Sequence, residues 1–200
     1  MMTIIFDVKR GRNGDWEMRY PAAETAEKHA RILDAASRMF RDRGFSDVSV
    51  AEIMKATGLT HGPFYNHFSS KHDLMAEAIR HASAQSFDGL DKADSSEAGK
   101  AAYQAEYLST AHRDNKADGC LIAALASEIG REPSVRAAVT GHIRALIDRM
   151  ASKFPWPAKR AARADAIRMT ASMLGAVILA RAVDDEALSE EILRAAAGQR

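Results

Sequence analysis

In this 200-residue chain the residues suited to recognition chemistry gather in one stretch, TGLTHGPFYNHFSSKHDL, residues 57–74. Asn66 carries a carboxamide that can donate to and accept from the edge of adenine at once, and Pro63 offers an apolar surface of the size of a thymine methyl group. Gly62 has no side chain, so a partner can approach its backbone closely. Tyr65, Thr60 and Lys71, with Ser49 a little upstream, are donors suited to phosphate oxygens. Lys71 also opens a helix N-terminus, where anions are favoured. His61 and His67 flank the set. These are residues for reading a nucleic acid duplex, provided the chain holds them on one rigid face.

The surrounding pattern predicts the elements that would hold them. From Thr25, the apolar residues Ile32, Ala35, Ala36, Met39 and Phe40 recur at helical spacing until Gly44. If Gly44 is the left-handed residue just past the helix, Phe45 falls against Phe40. A second helix opens at Ser49, with Glu52 completing a capping box and Val48 and Ile53 at staple spacing, and it stops at Gly58. Thr60 then reads as the N-cap of a short helix over 61–68. Leu59 and Phe64 form its staple, and Pro63 sits in the first turn, where its missing N–H has no intrahelical partner to lose. Phe64 and Phe68 should face inward, with Gly62 and Asn66 nearly opposite. A helix from the Ser70/Asp73 cap pair runs to about Ser86. Helix, tight turn, short helix is the pattern of a helix-turn-helix.

The remainder reads as helices over 97–113, 120–131, 134–153, 158–183 and 186–197, jointed at Pro133, Pro155 and Pro157. The polar run at 88–100 suggests a boundary, giving an N-terminal extension 1–23, a DNA-binding unit 24–86 and a C-terminal helical unit 87–200. Within the extension, TIIFDV has strand character but no partner strand in sight, so the segment is expected to be poorly ordered, or to precede a true start at Met18. The fold class is all-α.

Composition narrows the functions. A net charge of +1 gives no global case for nucleic acid, and residues 18–81 carry nine basic against eight acidic residues. The salt dependence of any DNA binding is therefore expected to be shallow, although Lys28 and Arg31 stand where phosphates or the minor groove are in reach. The seven histidines show no i, i+4 pair, so neither metal nor cofactor is expected. Cys120, alone in the sequence, excludes an internal disulfide and fits a cytoplasmic protein. The apolar run 173–180 is too short to span a membrane.

The run ILDAASRMFRDRGFSDVSVAEIMKATGLTHGPFYNHFSSKHDLMAEAI (32–79) resembles the DNA-binding module of the TetR family of bacterial transcriptional regulators. The likeness rests on Phe40/Gly44/Phe45, Val50–Ile53, Gly58–Leu59, Phe64–Tyr65, Phe68, Ser70–Lys71 and Leu74. It implies a homodimer on a near-palindromic operator, acting as a repressor released by a small-molecule effector. The operator-facing set it implies is Ser49, Thr60, His61, Gly62, Pro63, Tyr65, Asn66, His67 and Lys71. The apolar stripe of Ile167, Ala171, Leu174, Gly175 and Ile178 would then pair with a second copy. Tyr103, Tyr107, Leu121, Leu125, Ile143, Ile147, Met169 and Met173 would line an effector pocket, though each serves equally well as core. Two other readings remain: an architectural DNA-binding protein without effector, and a helical enzyme built on His112, Cys120 and Glu128. Cys120, at a helix start, is also a candidate redox or electrophile sensor.

Overall fold

The computed structural model describes residues 8–10, 16–18, 22–60 and 62–198, and helices account for most of them. The reading of residues 1–23 as an extension falls largely outside the described residues. On the part described, one expectation is corrected. Strand β1 (Val8–Arg10) does have a partner, β2 (Trp16–Met18), paired antiparallel with Val8 opposite Met18 and Arg10 opposite Trp16. Beyond this strand pair the described residues are all-α.

Helix α1 (Ala22–Arg43) ends as its sequence requires. Gly44 takes φ +88°, its N–H bonds the Phe40 carbonyl at 2.7 Å, and Phe45 packs edge-on against Phe40 with ring centroids 5.2 Å apart. Helix α2 (Val50–Ala56) starts from a complete capping box between Ser49 and Glu52. Its end is a Schellman motif: the N–H of Gly58 (φ +71°) bonds the Lys55 carbonyl, and that of Leu59 reaches back to Met54.

The next element differs from the predicted α-helix 61–68. Gly62–Asn66 wind as a 3-10 helix, and only at the close does an α-type bond form, from the N–H of Phe68 to the carbonyl of Phe64. Gly62 and Pro63 are the two poorest helix formers and occupy a piece too short to build an α ladder, so the tighter winding prevails. The cap expected from Thr60 to Gly62 is not formed among the described residues. Helix α3 (Lys71–Lys92) begins at Ser70, whose hydroxyl caps Asp73; the Asp73 carboxylate reaches Ser69 rather than closing a box with Ser70.

Helix α3 also runs beyond Ser86, into the polar stretch 88–100, and ends within it at Lys92. Phe87 stacks on His142 at 5.3 Å, His142 Nδ1 bonds Ser83 Oγ at 2.8 Å, and Leu90 is fully buried, so tertiary packing carries the helix onward. The predicted helix 97–113 is broken in two, α4 (Glu97–Tyr107) and α5 (Thr110–Asp114), because Ser109 caps the N–H of His112 and starts a new turn. Then follow α6 (Leu121–Ile129), α7 (Arg136–Lys153), α8 (Ala162–Ala182) and α9 (Glu186–Ala196).

Two apolar cores result. The first joins α1, α2, the 3-10 segment and the first half of α3 to Leu121, Ile122 and Leu125 of α6 and to Val135, Ala138 and Val139. The second, around Leu90, Met150, Met173, Val177 and Leu193, unites the C-terminal helices. Helix α3 contributes to both, and α6 belongs to the core of the N-terminal module. Among the described residues no helix is long and apolar enough to cross a membrane.

The capping box at Ser49 makes stability pH-dependent. The backbone N–H and hydroxyl of Ser49, then Arg43, hold the Glu52 carboxylate at a pKa of about 2. A folded-state pKa below the unfolded value means that the contribution is complete above about pH 5 and fades as the pH falls toward 2. Across that window the urea midpoint of Glu52→Gln is expected to fall less steeply than that of the natural chain. Equal slopes would remove Glu52 as the titrating group.

Candidate functional site

The exposed side of the 3-10 segment depends on what is buried beneath it. Phe64 and Phe68 are almost wholly buried, each burial stabilising by roughly 1.5–3 kcal/mol. His29 of α1 stacks on Phe68 at 4.6 Å and bonds Glu77 of α3 at 3.0 Å, closing the underside between the two long helices. With two aromatics pinned, the opposite side must face outward. Gly62 and Asn66 are exposed, Tyr65 is 67% exposed, and Pro63 and His67 are half-buried. His61 lies outside the described residues.

The remaining expected contacts occupy the rim. Thr60 and Ser49 are exposed, but the Ser49 hydroxyl is engaged on both sides, donating to Glu52 Oε2 at 2.7 Å and accepting from the Glu52 N–H. Lys71 directs its ammonium onto the Phe45 carbonyl at 2.6 Å, which leaves two of its three N–H donors for a phosphate. Arg31 bonds the Thr57 carbonyl at 2.6 Å and so closes the C-terminus of α2, and Lys28 pairs with Glu24. His67 has its pKa lowered by partial burial and then by His29 and Lys28.

The contacts that sequence reasoning missed tie this face to the C-terminal half. Glu128, near the end of α6, accepts hydrogen bonds from two successive backbone N–H groups, Phe45 at 2.8 Å and Ser46 at 3.2 Å. The approach is possible because residue 44 is glycine: a Cβ there would lie 2.2 Å from Glu128 Oε1. At the other end of α6, Arg38 pairs with Asp118, and the buried Arg41 bonds the Gly119 carbonyl at 3.2 Å. Burial lowers the Arg41 pKa, with Asp118 acting in the opposite direction. Helix α6 is thus held to α1 and its following turn at both ends. Partners 78 to 83 positions apart leave no periodic trace in a sequence; the glycine at 44 was the one visible signal.

Asp118, Gly119, Cys120 and Leu121 also line a cavity of about 180 Å³, together with Tyr103, Tyr107, His112 and Leu146. Tyr103, Tyr107 and Leu121 were expected at a pocket. The other expected residues do not line this one: Leu125 and Met173 are buried in the cores, Met169 packs against the second core, Ile147 is half-buried and Ile143 is exposed. The catalytic trio is not assembled. His112 and Cys120 share the cavity, whereas Glu128 lies about 12 Å along the α6 axis, engaged with Phe45 and Ser46. Cys120 serves as the N-cap of α6, its sulfur accepting the Ala123 N–H.

On α8, Ala166, Met173, Ala176, Val177 and Ala180 face the core. Of the expected pairing stripe, Ile167 is 44% exposed, Ala171 is exposed, and Leu174, Gly175 and Ile178 are half-buried; Leu179 beside them is exposed too.

The family described as bacterial regulatory proteins, tetR family, matches residues 32–78. The chain is 46% identical over 54 residues to the HTH-type transcriptional regulator AcrR of Shigella flexneri, covering 27% of this chain and 25% of that protein. It is 36% identical over 63 residues to the HTH-type transcriptional repressor KstR2 of Rhodococcus jostii, 30% of this chain and 31% of the other. The matched stretch thus spans about a third or less of these relatives. Across 86% of this chain the fold superposes on 97% of a TetR-family transcriptional regulator from Agrobacterium tumefaciens, with TM-score 0.69 and 26% identity.

If Glu128 holds the turn after α1, Glu128→Gln should cost about 1–2 kcal/mol in urea unfolding. It should also speed amide exchange at Phe45 and Ser46 selectively. Unchanged protection of those two amides would show that the carboxylate does not hold them.

Proposed function

We propose, from an N-terminal module that belongs to the TetR family of bacterial regulatory proteins, that this chain is a ligand-responsive transcriptional repressor that binds a near-palindromic operator as a homodimer. The observation that carries the reading is the 3-10 segment: Phe64 and Phe68 are buried while Gly62, Asn66 and Tyr65 face solvent, directly after a helix closed by a Schellman turn. Such a segment is a stiff probe narrow enough for a major groove. Asn66 would read a base edge, Gly62 and Pro63 would allow close approach, and Tyr65, Thr60, His67 and Lys71 would meet the backbone. Ser49 would join them only by exchanging its bond to Glu52 for one to phosphate.

One such probe reads few bases, so two are needed roughly 34–36 Å apart along the duplex. The apolar face of α8, with Ile167, Ala171 and Leu179 outward, supports a second copy as its cover. The cavity supports a response to a small molecule over a purely architectural role. Asp118 and Gly119 line it, and their contacts include Arg38 and Arg41 of α1. A ligand that displaces this segment would alter the seat of α1, and with it the spacing of the two probes. Repression agrees with KstR2 among the relatives.

Selection of bound duplexes from a random pool should yield two half-sites one helical turn apart, and sedimentation should give a dimer. Asn66→Ala is expected to relax preference at one position per half-site, costing about 1–3 kcal/mol, while Tyr65→Phe weakens all sequences alike. Uniform losses for both, or no enriched sequence, would overturn the proposal.

A further inference from the structure

The same cavity carries information about what fills it. Tyr107 Oη, His112 Nε2 and Arg181 Nη1 are buried and lack a hydrogen-bond partner among the described residues, and the first two belong to residues that line the cavity. The Tyr107 and His112 rings lie side by side with centroids 4.5 Å apart. The Cys120 thiol stands beside Tyr107, but a thiol is a weak partner for a hydroxyl. Buried polar atoms are ordinarily satisfied, so two of them at one cavity wall mark a place for a ligand atom.

The polar end is rigidly built. Arg181 of α8 donates from Nε to the Arg113 carbonyl at 2.8 Å and from Nη2 to the His112 carbonyl at 3.2 Å, fixing the backbone that bears the imidazole. Burial raises the Tyr107 pKa, and burial with Arg181 lowers that of His112, so the wall offers a neutral hydroxyl donor and a neutral imidazole. The rest of the lining includes Tyr103, Leu121 and Leu146, with the carboxylates of Glu106 and Asp118 also present. Those carboxylates disfavour an anion; Arg181, whose Nε and Nη2 are spent on carbonyls while Nη1 is unpaired among the described residues, is not among the lining residues. As to size, an apolar cavity of roughly 150 Å³ holds benzene, and this one measures about 180 Å³.

We infer that the cavity takes a neutral, single-ring ligand bearing one oxygen, its ring against Tyr103, Leu121 and Leu146 and its oxygen hydrogen-bonded to Tyr107 Oη and His112 Nε2. This names the chemical class of the effector, and its regulatory meaning rests on the proposed repressor function; the binding site itself does not.

Cys120, the sole cysteine of the chain, lines the cavity and reports on its occupancy. The test is the rate of iodoacetamide labelling of the full chain, read by intact mass, with phenol as probe and benzoate as its anionic counterpart. Saturating phenol is expected to slow labelling by about fivefold or more, and benzoate at equal concentration is not. Tyr107→Phe should raise the phenol concentration needed by roughly threefold to tenfold. Leu146→Phe, which fills the ring space, should weaken protection independently of Tyr107. Absence of protection by millimolar phenol, equal protection by benzoate, or unchanged phenol affinity in both variants would overturn the inference. DNA binding followed in parallel separates the two levels. Protection without DNA release would remove the regulatory reading and leave the ligand site standing. Release by phenol without protection of Cys120 would place the effector elsewhere.

Discussion

The attachment of α6 to α1 at both ends is the constraint on which the rest of the structure depends. Arg38 and Arg41 hold Asp118 and Gly119 at one end, Glu128 holds the N–H groups of Phe45 and Ser46 at the other, and Leu121, Ile122 and Leu125 between them lie in the core beneath the 3-10 segment. Breaking the Arg41 bond to the Gly119 carbonyl leaves the buried guanidinium with the Ser37 carbonyl alone, a change that costs about 1.5–3 kcal/mol. Helix α6 therefore cannot shift alone. Any displacement that begins at the cavity wall must either move α1 with it or break these bonds. The turn at 44–46 concentrates the effect, because the Phe45 carbonyl also receives Lys71, the first residue of α3. A single residue thus joins three helices, two of which flank the exposed probe.

The probe owes its stiffness to those neighbours and little to its own backbone. A five-residue 3-10 helix has few internal bonds and poorer hydrogen-bond geometry than an α-helix. What fixes it is Phe64 and Phe68 below, the Schellman turn at Gly58 before it, and the Ser69–Asp73 and Ser70–Asp73 bonds after it. His29 stacked on Phe68 adds a side wall from α1. The outward residues are consequently free of structural duty at Gly62 and Asn66. At Ser49 and Lys71 the same atoms that would meet phosphate already serve the scaffold. Recognition and stability are separable in the middle of the segment and entangled at its rim.

That division also explains what the sequence made legible. Signals whose partners lie within a few residues are readable: the capping box at Ser49, the left-handed glycine at 44, the helix stop at Gly58, the Phe40–Phe45 contact and the inward pair Phe64/Phe68. Features decided by distant partners are not. The continuation of α3 past Ser86 depends on His142 and the second core, and the clasp on α6 depends on residues some eighty positions away. The winding of the probe falls between these cases. Gly62 and Pro63 are visible in the sequence and compatible there with the first turn of an α-helix, but together they favour the tighter form. The cavity was legible only in part, since Tyr103, Tyr107 and Leu121 look like core residues until the unpaired atoms of Tyr107 and His112 are seen together.

Helix α8 links the two proposed surfaces of the C-terminal half. Its inner face builds the second core, its outer face carries Ile167, Ala171 and Leu179, and Arg181 in its last turn anchors the carbonyls of His112 and Arg113 at the polar end of the cavity. If a second copy covers the outer face, α8 becomes the least movable element of the assembly, because both of its faces are packed. The polar end of the cavity is then fixed to the dimer, while the neighbouring wall, Asp118 to Leu121, is fixed to α1. A ligand spanning the two would act between the part that must stay still and the part that must move. With α8 immobile, the displacement can pass to the module that carries the probe through α6, or through α3, whose Ser86 and Gly89 also line the cavity.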